Sequence, residues 1–174
     1  MIVHTIGSLK ETLNKIYPLD REGLLFCIGT SFISKVIAAK TREKGDDIVP
    51  SHVAIVKGSF LYESTSTPEK IGNKKIPAGV RRYLLTDFYK IEKRKDALYV
   101  VVPITLDIKE LEKHIHRPYG KDIILDYLLK DGSDGDSKGL ICSQYANLVT
   151  KLIDKECVNP VELYRKVLEL EDKQ

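Results

Sequence analysis

The chain has 174 residues, 43% of them hydrophobic and 30% charged, which is enough apolar material for one core and too little chain for two. Lys and Arg number 28 against 25 Asp and Glu, a formal net charge of +3, with no Trp and only four Phe; these figures exclude the basic stripe and stacking platforms of a nucleic-acid binder. No apolar run reaches the roughly 18 residues of a membrane span, and residues 1–20, which include Lys10, Glu11, Lys15 and Asp20, do not read as a secretory leader.

In chain order, Ser8 to Ile16 has the spacing of a short amphipathic helix. Leu24 to Ile28 is a short apolar run, read as a buried strand, and Ser31 to Glu43 is a helix with one wet face. His52–Val56 and Phe60–Thr65 flank Lys57-Gly58-Ser59, a hairpin signal in which Gly58 takes the positive φ of a tight turn. Gly79–Leu85 and Ala97–Pro103 supply further strands. Lys90 to Lys95, with four basic residues and one Glu, reads as a solvated turn. Asp107–His116 is a helix with Ile108, Leu111 and Ile115 inward. Ile123–Leu129 is a second helical stretch, and Lys130–Gly139 a flexible connection. Ile141–Asp154 carries the clearest helical pattern, with Tyr145, Val149 and Leu152 on one face. Asn159, Pro160 and Glu162 mark the start of the last helix as a capping box. The whole chain, 1–174, reads as one α+β domain: an antiparallel sheet with helices before and after it.

Cys142 follows a Gly-rich stretch and opens a well-patterned helix. A thiol there meets the positive end of the helix dipole and unpaired N–H groups, which favour thiolate. The alternative is a small apolar residue packed beside Tyr145 and Val149. His52 opens a strand, and alternation puts it on the face of Ala54 and Val56. A turn of Gly58 and Ser59 alone pairs Lys57 with Phe60 and brings Glu63 within one diagonal step of His52, where a carboxylate fixes the imidazole tautomer. One more residue in the turn removes Glu63 from that face. His114 and His116 do not converge and read as surface cations near a helix end. The segment Asp131–Asp136 lacks the offsets of a calcium loop. Three cysteines, at 27, 142 and 157, are odd in number and lack C-x-x-C spacing, which predicts a reducing, cytoplasmic setting with no disulfide framework and no metal. Cys27 and Cys157 read as core or surface thiols.

Taken in order, these segments resemble the circularly permuted branch of the NlpC-type papain-like cysteine hydrolases, the YiiX-like group. The resemblance rests on Leu24–Ile28, Ser34-Lys35-Val36-Ile37 with Thr41, Ser51-His52-Val53-Ala54-Ile55-Val56, and Tyr62-Glu63-Ser64. Pro118-Tyr119-Gly120, Cys142-Ser143-Gln144-Tyr145-Ala146 and Asn159-Pro160 with Leu163 complete it, so that it spans residues 20–165. The chain departs from the family at Glu22-Gly23-Leu24, where Gly-Asp is common, and at Gln144, where Glu is common. The resemblance implies a permuted papain-like fold in which Cys142 is the nucleophile, His52 the base and then acid, and Glu63 the orienting residue. Tyr119, Ser143 and Gln144 are the implied substrate contacts, and no cofactor is required. The activity expected is cleavage of an amide bond in a small peptide or peptidoglycan-derived fragment through an acyl-enzyme. Hydrolysis or transfer of a lipid acyl chain is the alternative within enzymes, and a catalytically silent binding module of the same fold is the alternative outside them.

Overall fold

The computed structural model describes residues 22–29, 32–88, 97–121, 139–156 and 158–171, with Glu11 as an isolated position. The expected helices over 8–16 and 123–129, the turn over 90–95, most of the 130–139 connection and Cys157 lie outside the described residues. The elements run β1 (Glu22–Ile28), α1 (Phe32–Thr41), β2 (His52–Lys57), β3 (Phe60–Thr65), β4 (Glu69–Ile71), β5 (Lys74–Ile76), β6 (Gly79–Leu84), α2 (Leu85–Phe88), β7 (Leu98–Pro103), α3 (Ile108–Lys113), α4 (Cys142–Thr150) and α5 (Pro160–Glu171). Five strands form one sheet in the order β6-β3-β2-β1-β7, and β4 with β5 makes a separate two-stranded ribbon. Every recorded pairing is antiparallel. The α+β reading with an antiparallel sheet therefore holds.

β1 lies between β2 and β7 in the sheet, and a core cluster covers each of its faces, which is why it reads as an unbroken apolar run rather than an alternation. Leu24 and Phe26 enter one cluster, Leu25 and Cys27 the other. Gly23 is required here, because a Cβ at that position would come within 2.4 Å of the Val102 carbonyl oxygen. The first cluster gathers Val53, Ile55, Tyr62 and Val80 of the sheet with Leu111 of α3, Tyr145 and Val149 of α4, and Leu163 and Val167 of α5. The opposite face carries Ala54, Val56, Leu61 and Tyr83 beneath Leu85 and Phe88 of α2, with Ile71 and Ile76 of the ribbon packed alongside.

The hairpin turn is the short one. Gly58 has φ +59°, and Lys57 pairs with Phe60, Val56 with Leu61 and Ile55 with Tyr62. The β4–β5 ribbon is an element that strand patterning missed. Its strands have three residues each, too few to show alternation, although Gly72 at φ +59° beside Asn73 is a turn signal.

Two helix expectations need correction. In α3, Ile108 is 47% exposed while Leu111 is fully buried; the helix has only six residues, and it meets the core through Leu111 and through His114 and Ile115 just beyond its end. The second concerns α4, which stops at Thr150 rather than Asp154 because Asn147 captures the following backbone. Its amide nitrogen donates to the carbonyls of Ile153 (2.9 Å) and Lys155 (3.0 Å), and its oxygen accepts from Ile153 N–H at 2.9 Å. Lys151 then takes a left-handed conformation, φ +54°, and closes the helix.

The start of α5 is as expected. Asn159 Oδ1 accepts from the N–H groups of Val161 and Glu162, and Glu162 Oε2 accepts from Asn159 N–H, each at 2.9 Å. Asn159→Ala is expected to lower unfolding stability by about 1 kcal/mol, read as a lower denaturant midpoint at unchanged slope. No described helix is long and apolar enough to cross a membrane.

Candidate active site

Cys142 is the first residue of α4, and the preceding backbone fixes where that helix begins. Leu140 N–H donates to the Pro118 carbonyl at 3.0 Å, and Gly120 N–H donates to the Leu140 carbonyl at 3.4 Å. Ser64 Oγ donates to the same Leu140 oxygen. The strip approaches so closely that a Cβ on Gly139 would lie 2.6 Å from the Gly120 nitrogen. Farther along, Val80 N–H donates to the Arg117 carbonyl and His116 N–H to the Val80 carbonyl, both at 2.8 Å. Backbone bonds on both sides thus carry Tyr119 between the sheet edge and the helix start.

His52 is the first residue of β2 and pairs with Cys27 of β1. Its ring is 22% exposed, and Nε2 lies 2.8 Å from Glu63 Oε2, whose side chain is fully buried. The imidazole also interacts with the Cys142 thiol, and each group shifts the other's protonation. By alternation His52 belongs with Ala54, whereas α4 packs on the face of Val53 and Ile55. His52 stands at the end of its strand, beyond the last β2–β3 pair, Ile55–Tyr62, and α4 packs against both β2 and β3.

The electrostatics follow from this contact. Burial works against charge on the His52 ring, but the Cys142 charge, the hydrogen bond to Cys142 and the Glu63 carboxylate outweigh it, and the ring is pushed up to about 9 from 6.5. Burial likewise raises Cys142; the His52 charge and hydrogen bond, followed by the N–H groups of Val53 and Ser143, reverse this and hold the thiol below its ordinary value. Cys142 itself is only 6% exposed. A merely packed cysteine shares that burial, but it has no imidazole coupled to its thiol. Tyr119 is held above the ordinary tyrosine range by burial and then by the nearby Cys142 and Glu63 charges, so its hydroxyl keeps its proton.

Ser143 and Gln144 bond around the helix start: Ser143 Oγ donates to the Val158 carbonyl, and Gln144 Oε1 accepts from Ile141 N–H at 3.2 Å. Adjacency to the cysteine does not reveal this, because successive helical positions face different directions. His114 is buried, not a surface cation. Its ring meets Tyr145 edge-on, centroids 6.4 Å apart, and burial, then Arg117 and Lys113, push it down, which keeps it neutral. His116 is exposed. Cys27 is buried.

The residue that sequence reading passed over is Arg81. It is buried directly across the ladder from Glu63, with Nη2 3.3 Å from Glu63 Oε1. The signal was a Val-Arg-Arg-Tyr strand with a charge at an inward position, legible only once β6 is paired with β3. Among the described residues, no group of His, Cys, Asp and Glu is arranged to hold a metal ion. Comparison with protein-family models, curated proteins and solved structures finds no match for this chain.

Proposed function

We propose that this protein is a cysteine hydrolase that cleaves an amide bond in a small peptide or peptidoglycan-derived fragment. The observation that carries the proposal is the His52 imidazole held at 2.8 Å by the buried Glu63 carboxylate and electrostatically coupled to the Cys142 thiol at the start of α4, the pattern of nucleophile, base and orienting group. The motif order described above, with its resemblance to permuted NlpC-type papain-like enzymes, supports the same reading.

In this mechanism His52 takes the thiol proton and Cys142 Sγ attacks the carbonyl carbon. Backbone N–H of Cys142, at the positive end of α4, and the protonated Tyr119 hydroxyl donate to the oxyanion. As the C–N bond breaks, the imidazolium gives its proton to the leaving amine and a thioester remains. Water then attacks the thioester, passing its proton to His52, and thiolate departs. Glu63 holds the ring and balances the imidazolium throughout.

The test begins with the thiol. At pH 7, iodoacetamide should modify Cys142 faster than Cys27 or Cys157, and the rate should rise through a midpoint below the free-thiol value of about 8.5. Turnover has a second limit. The ion pair exists from the lowered Cys142 value up to about 9; above that, His52 has lost the proton it must give the amine, so kcat/KM falls on the alkaline side near pH 9. Equal, slow labelling of all three cysteines would sink the proposal. Competing peptide and lipid-ester substrates then separate amide cleavage from acyl-chain chemistry.

A further inference from the structure

We infer that Arg81 is a positioning residue for the His52–Glu63 pair, a role that rests on the hydrolase reading above and names a group no resemblance assigned. Each oxygen of the Glu63 carboxylate has its own partner: Oε2 faces His52 at 2.8 Å, and Oε1 faces Arg81 Nη2 at 3.3 Å. A glutamate has three side-chain torsions, so the His52 contact alone leaves the carboxylate free to swing. A second, opposed contact fixes its plane.

The guanidinium is itself anchored. Nη1 donates to the carbonyls of Thr67 and Pro77, each at 3.0 Å. Glu69 Oε1 lies 3.6 Å from Nη2, and the Tyr83 ring centroid is 4.9 Å from the guanidinium carbon. Thr67 precedes β4 and Pro77 follows β5, so one side chain cinches the base of the ribbon and supports the site through the same group.

The experiment reads Cys142 alkylation by iodoacetamide at pH 7 in the full chain, with site occupancy measured by mass spectrometry. Arg81→Met is expected to slow it roughly tenfold, one unit of thiol titration, and Arg81→Lys, which keeps charge without the fork, by less. Because Arg81 acts through Glu63, the Arg81→Met, Glu63→Gln double variant should match Glu63→Gln alone within about twofold. A wild-type rate in Arg81→Met overturns the inference, as does a double variant whose losses multiply. If Arg81→Met does not give a folded circular-dichroism spectrum, the same cycle with Arg81→Lys decides. If Cys142 in the unaltered chain reacts no faster than Cys27, the hydrolase reading fails first and Arg81 loses its role with it; fast Cys142 with an indifferent Arg81 removes the present inference alone.

Discussion

Cys142→Ala is expected to reduce amide hydrolysis to background, a loss on the order of a million-fold, while the protein keeps its fold. The loss is large because sulfur forms the bond that carries the reaction, and neither the helix dipole nor the Tyr119 hydroxyl replaces it. Structure is spared because the sulfur adds little packing: its removal costs about 1 kcal/mol, and the helix start is held by Leu140, Ser143 and Gln144 contacts that do not involve it. The variant also has a signature independent of any substrate. Burial lowers His52, and the thiolate is the leading group that raises it. With the thiolate gone, the imidazole should titrate well below 9, observed by NMR of the ring protons. An unchanged His52 titration in Cys142→Ala would show that the two side chains do not form the ion pair.

The second large effect is at Glu63, where charge and size can be separated. Glu63→Gln keeps an oxygen and a nitrogen in the site but removes the charge, so turnover should drop roughly 10^3- to 10^4-fold, with a smaller loss of stability than truncation causes. Glu63→Ala takes away the buried partner of both His52 and Arg81. Breaking a buried pair from one side costs about 3 kcal/mol or more, equivalent to roughly 6–12 °C in a domain of this size. The expected pattern is an inactive Gln variant that is less destabilised than an equally inactive Ala variant. A Gln variant with full activity would remove Glu63 from the mechanism.

What was legible in the sequence follows the range over which each feature is decided. The β2–β3 hairpin is local: Gly58 between two apolar runs specifies the turn, the turn sets the register, and the register puts Glu63 beside His52. The cap at Asn159 is equally local. Arg81 is not, because its value depends on which strand pairs with β3. The early stop of α4 is hidden for a related reason: Asn147 is an ordinary helical residue by pattern, and only its bonds to Ile153 and Lys155 show that it ends the helix. Ser143 and Gln144 stand next to Cys142 in sequence and are turned to Val158 and Ile141 in space.

The order of these pieces along the chain has a consequence for synthesis. His52, Glu63 and Arg81 belong to strands that leave the ribosome well before Cys142, and the thiol acquires its acidity only when α4 docks on the finished sheet. On the proposed reading, a nascent or half-folded chain is therefore chemically quiet, and nucleophilic power arrives as one of the last events of maturation.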